Sequence, residues 1–172
     1  WSLDASDLRD DGTVVDIAGD QNGVVSAPDP PSTNSVGDGM HFVTAKKTSI
    51  TVPWSIELNP SEYTITMWVR ATSTSSSSAT APGNHLSVIF SRLSCGTTCG
   101  TGYNIYNVNS EWQFWTGTGT SSSSPWNVLS AGTDSVVLNT WQHLAISYGA
   151  KKMIFHIGNA KFEKTVTSVG IN

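Results

Sequence analysis

From Tyr63 to Arg70 (YTITMWVR) apolar and polar positions alternate, with Tyr63, Ile65, Met67 and Val69 on one face and Thr64, Thr66, Trp68 and Arg70 on the other. A period of two belongs to a half-buried strand, whereas a helix repeats every ~3.6 residues. The run from Trp141 to Tyr148 (WQHLAISY) groups Leu144, Ile146 and Tyr148, breaks at Gly149-Ala150-Lys151-Lys152, and resumes with Met153, Phe155 and Ile157 on one face. That pattern predicts a β-hairpin. Glu111 to Trp115 sets Trp112 and Phe114 against Gln113 and Trp115, and Leu86 to Leu93 sets Val88 and Phe90 against Ile89 and Ser91. No stretch carries an amphipathic helical period. Dense punctuation such as Gly19-Asp20, Pro28-Asp29-Pro30-Pro31, Asn59-Pro60 and Pro82-Gly83-Asn84 cuts the chain into short runs, as strands joined by loops require. The serine tracts Ser73 to Ser78 and Ser121 to Ser124 read as solvated connections. Together these predict an all-β, two-sheet antiparallel sandwich.

The 172 residues suit a single domain, 1–172, with room for a core. Charged residues are 13% of the chain, against about 25% in average domains. Ser, Thr, Gly and Asn fill the difference, a composition typical of extracellular β proteins. No apolar run is long enough for a membrane span. No signal peptide is evident either, and Trp1 falls inside a strand-like segment, so the expected source is a module of a larger secreted protein. Residues 1 to 40 hold eight Asp and one Arg, a net of −7, while the remainder holds eight basic and five acidic residues, a net of +3. With the acid confined to one end and no basic stripe, nucleic acid is not an expected partner. Cys95 and Cys99 enclose Gly96-Thr97-Thr98; in an oxidising compartment they would form a small disulfide, and in the cytosol two free thiols.

In order along the chain come Trp1-Ser2-Leu3-Asp4, then Asp16-Ile17-Ala18-Gly19-Asp20-Gln21-Asn22-Gly23, then Met40-His41-Phe42 with Ser49-Ile50-Thr51-Val52-Pro53, then YTITMWVR, and finally NTWQHLAISYGAKKMIFHIGNAKF. Their order and spacing resemble the laminin-G-like, concanavalin A-like domains. The resemblance implies a jelly-roll sandwich in a non-catalytic extracellular module. It also implies strands beyond the one matching Met153 to Gly158, of which Lys161 to Ile171 can supply one. The expectation is therefore either a jelly roll lacking its closing strand and completed by another polypeptide or by a C-terminal continuation, or a shorter variant with a covered edge. Trp68 and Trp141 match recurrent family positions, which implies a framework role inside the sandwich.

Glycan-cleaving relatives of this fold carry a Glu-x-Asp-x-x-Glu strand, and retaining chemistry needs two carboxyls about 5–5.5 Å apart. Here Glu57, Glu62, Glu111 and Glu163 stand alone on separate segments, and no Gly-x-Ser-x-Gly elbow occurs. No catalytic residue is assigned. His143, opposite Leu144, reads as a surface or pocket-lining histidine. Asp16, Asp20 and Asn22 offer three side-chain oxygens in one loop and are the candidate Ca2+ ligands, although a turn capped by its own Asp and Asn side chains uses the same residues. Trp115, on the face opposite Trp112, Trp126, in a loop after Pro125, and Trp54, after Val52-Pro53, are the candidate ligand-stacking residues. The expected function is recognition of a glycan or protein ligand, with structural assembly through a donated strand as the alternative and a glycan-active enzyme least favoured.

Overall fold

Strands form where the alternation predicts them, and the only helical pieces among the described residues are short 3-10 turns at Ala5–Asp7 and Ile56–Leu58. The computed structural model describes residues 1, 3, 5–25, 39–43, 48–74, 86–91, 100–119 and 125–167. The chain divides into two compact units, Trp1–Leu58 and Asn59–Asn172.

In the first unit β1 (Thr13–Val14), β2 (Gly23–Val25) and β3 (Ile50–Thr51) form a small antiparallel sheet in the order β1-β2-β3. Val14, wholly buried, pairs with Gly23. A side chain at position 23 would stand 2.6 Å from Ile50 Cγ2, so this crossing requires glycine.

The second unit has two four-stranded antiparallel sheets. One runs β11-β10-β9-β4, built from β4 (Tyr63–Val69), β9 (Gln142–Gly149), β10 (Lys152–Ile157) and β11 (Ala160–Thr165). The other runs β5-β6-β7-β8, built from β5 (Leu86–Ser91), β6 (Tyr103–Val108), β7 (Glu111–Gly117) and β8 (Trp126–Ser130). The core lies between them. Leu144, Ile146, Met153 and Phe155 from the first sheet meet Ile105, Trp112, Phe114 and Leu129 from the second. Phe114 and Phe155 meet edge to face at 6.4 Å, and Thr116 Oγ1 reaches Met153 Sδ at 3.7 Å. This is the predicted antiparallel sandwich, and β11 is the one strand expected after Lys161.

Polar tethers fix the sandwich rim. The Trp112 indole N–H donates to Gln142 Oε1 (3.1 Å), whose amide donates to the Ser135 carbonyl (2.9 Å). Glu62 Oε1 accepts from the Ala150 amide (2.9 Å), clasping the turn between β9 and β10. That turn holds both central residues, Ala150 (φ 49°) and Lys151 (φ 60°), left-handed, as a type I′ hairpin does.

Two expectations are corrected here. The alternation in Leu86 to Leu93 breaks at a register shift between Ser87 and Ile89, so Val88 and Ile89 both pack on the core; a bulge inserts one residue and resets which face follows. Trp68 and Trp141 are not framework residues: they are 66% and 42% exposed. Trp68 shares the outward face with Thr64 and Thr66, and strand geometry decides its direction.

Candidate ligand-binding site

On the sheet β5-β6-β7-β8 the side chains of Ile105, Trp112, Phe114 and Leu129 point into the core, so their alternates Asn104, Tyr106, Gln113, Trp115, Trp126 and Val128 share the opposite face. Register then sets who meets whom. Trp115 lies opposite Asn104 on one side and Val128 on the other, while Trp126 lies opposite Gly117 and Tyr106 opposite Gln113. Trp115 is thus the diagonal neighbour of both Tyr106 and Trp126, within reach of large rings. The Trp115 and Trp126 ring centroids are 6.1 Å apart, tilted by 59°, and Tyr106 stands edge-on to Trp115 at 5.6 Å. All three rings are half-buried.

Two details hold this aromatic row. The Trp115 indole N–H donates to Gln113 Oε1 at 2.9 Å, fixing the ring along its own strand. Beside Trp126, Gly117 adds no side chain, and a Cβ there would stand 2.0 Å from the Gly100 carbonyl oxygen. The local backbone is also cross-tied, with the Thr118 amide donating to the Pro125 carbonyl (2.8 Å) and the Gly119 amide to the Gly100 carbonyl (2.8 Å). Asn104, fully buried next to Trp115, has no hydrogen-bond partner for either its amide nitrogen or its oxygen.

Trp115 and Trp126, two of the three tryptophans singled out in the sequence, therefore converge. Trp126 is the first residue of β8 and not part of a loop, because Trp126-Asn127-Val128-Leu129-Ser130 pairs along Gly117 to Gln113. Trp54 belongs to the other unit, 63% exposed before the Ile56–Leu58 turn. Tyr106, the third ring, was not singled out; the signal for it was the alternation of Tyr103 to Val108.

A family model describing the concanavalin A-like lectin/glucanases superfamily matches residues 44–170. The chain belongs to this superfamily. Searches of curated proteins and of solved structures give no match. The stretch matched to the lectin/glucanase superfamily takes in strands β3 to β11 and with them the aromatic row.

The glutamates of this superfamily member are held separately. Glu57 is hydrogen-bonded to Ser55, which holds its carboxyl below the usual range, the Glu57 backbone amide adding to the effect. Glu62 accepts from Ala150, Glu111 from Ser130, and Glu163 pairs with Lys161 (2.9 Å) and Lys152 (3.4 Å). His143 lies half-buried on the outer face of β9, its ring 5.2 Å from Trp68.

In the proposed calcium loop, Asp16 Oδ1 accepts from the Ala18 amide (3.1 Å) and Oδ2 from the Gln21 amide (3.3 Å), while Asn22 Oδ1 accepts from the Asp16 amide (2.9 Å). Asp20 Oδ1 accepts from the Gln21 side chain (2.9 Å). These oxygens serve the loop's own N–H groups, and among the described residues no group of three or more His, Cys, Asp or Glu gathers. As arranged, these side chains cap the amides of their own turn. Cys95 and Cys99 lie outside the described residues. No helix among the described residues is long and apolar enough to cross a membrane.

Proposed function

We propose that this domain is a non-catalytic extracellular recognition module that binds a glycan along the Tyr106, Trp115 and Trp126 row. The observation that carries this reading is the convergence of two tryptophans on one sheet face, 6.1 Å apart, beside a tyrosine. Tilted neighbouring indoles offer adjacent apolar faces to successive sugar rings, with polar rims for hydroxyls. The glutamates support a binding role over hydrolysis, since Glu62, Glu111 and Glu163 stand on separate segments, each engaged by a different partner. Low charge content and the superfamily's lectin members support a place outside the cell.

A glycan array followed by calorimetry on the best hit tests this. Saturable binding that falls at least about tenfold in Trp126→Ala and in Trp115→Ala, each folded by circular dichroism, is the expected result. An array flat across all sugars refutes it.

One observation favours a second reading, assembly by strand addition. Among the described residues β4 pairs on one side only, with β9, and its seven residues contain neither proline nor charge to block a foreign strand. Native mass spectrometry decides this: a second chain or a higher oligomer is expected, and a homogeneous monomer at all concentrations removes it.

A further inference from the structure

The opposite sheet carries a second aromatic surface of different chemistry. On its outer face Trp68 pairs in register with His143, and one pair beyond the last registered contact, Val69 with Gln142, Arg70 lies over the Trp141 ring at 5.8 Å. The Asn139 amide donates to the Ala71 carbonyl (2.8 Å), which holds the two strand ends together at this point. Trp68 and Trp141 are diagonal neighbours, about 7–8 Å apart by sheet geometry. Both indoles are exposed, although a soluble surface rarely leaves two tryptophans side by side in water without use.

Charge decides what this face would take. Among the described residues Arg70 has no ion pair and packs over the Trp141 ring. The next outward row, running Thr66, Ala145, His156 and Lys161 in register, adds titratable and basic groups and no acid. Glu163, on the row beyond, is already neutralised by Lys152 and Lys161. A guanidinium held over an indole keeps its in-plane N–H fork for a planar anion, and the fork matches a carboxylate.

We propose that the outer face of the β4–β9 pair is a second binding surface for a carboxylated saccharide, with Arg70 holding the carboxylate and Trp68 and Trp141 stacking on the sugar rings. A saccharide is favoured over an acidic peptide because the two exposed indoles offer flat apolar faces on which sugar rings stack, while the guanidinium alone would serve either anion. This surface stands independently of the Tyr106, Trp115 and Trp126 row, which lies on the other sheet.

Tryptophan-fluorescence titration of the full chain with oligogalacturonate, and with its uncharged methyl ester, tests the proposal. Expected are saturable binding of the acid form and at least about tenfold weaker binding of the ester. A comparable loss is expected in Arg70→Met. Trp68→Thr, which continues the Thr64 and Thr66 pattern, provides a second variant should Arg70→Met fail to fold, and it too should bind more weakly. The proposal is overturned by absence of binding, by equal binding of acid and ester, by full affinity in both variants, or by polyglutamate binding as tightly as the oligosaccharide.

Discussion

Tyr63 begins β4 on the core side, its ring 4.8 Å from Tyr103 and 5.9 Å from Tyr148. Its hydroxyl is buried with no hydrogen-bond partner. Burial, and after it the neighbouring Tyr103 and Tyr148, pushes the phenol well above its ordinary value of 10.0. Tyr63→Phe keeps the ring and removes only the stranded oxygen. An unsatisfied buried hydroxyl costs roughly 1–3 kcal/mol, so the variant is expected to be about 1 kcal/mol more stable at neutral pH, after allowance for partial solvation in the unfolded chain. The alkaline limb gives an independent readout. A phenol whose folded value is raised contributes stability that is complete below the unfolded value and declines as pH rises above it. Between pH 10 and 11 the parent should therefore lose about 1 kcal/mol more than Tyr63→Phe, because the unfolded phenol is already about half ionised at pH 10 and the full ~1.4 kcal/mol per pH unit is approached only above pH 11. Urea melts of both proteins at pH 7, 10 and 11 measure this; Tyr103, also raised by burial, is present in both. A variant less stable at pH 7 by 1 kcal/mol or more, or parallel alkaline limbs, would refute the reasoning.

Other consequences can be checked in the same melts. Lys151→Gly replaces a side chain held at φ 60° and should stabilise by about 0.5–1 kcal/mol, since relief of left-handed strain of about 1–2 kcal/mol exceeds the added chain entropy; a lower denaturation midpoint would contradict this. Gln142→Ala removes the acceptor of the Trp112 indole N–H and of the Val137 amide and should cost about 2–3 kcal/mol, with a loss under 0.5 kcal/mol counting against the tether. Asp16→Ala should lower the melting temperature equally in calcium and in chelator, because the carboxylate caps the Ala18 and Gln21 amides; a chelator-sensitive parent with an insensitive variant would instead assign calcium to the loop.

How far the sequence could be read depended on the kind of interaction each feature rests on. Alternation is local, so the inward sets Tyr63, Ile65, Met67, Val69 and Trp112, Phe114 were legible, as was the hairpin at Ala150-Lys151. The bulge in β5 was not, because one residue of slippage is fixed by pairing with β6 and not by composition. Trp68 shows two signals in conflict. Family position implied a buried framework residue, alternation put the ring outside with Thr64 and Thr66, and the backbone followed alternation because a strand cannot turn one side chain inward without a bulge.

The aromatic row required more than either signal. Trp115 and Trp126 are separated by a serine tract whose length says nothing of register. They meet because Gly117 pairs with Trp126, which makes Val128 the partner of Trp115 and leaves the two indoles on a diagonal. Pairing shifted by one residue would send Trp126 to the core side and Leu129 to the surface. Leu129, buried against Phe114's sheet face, is what opposes that slip. The core therefore specifies the candidate site: the apolar side of β8 fixes the register, and the register places the tryptophans together on the side left for a ligand.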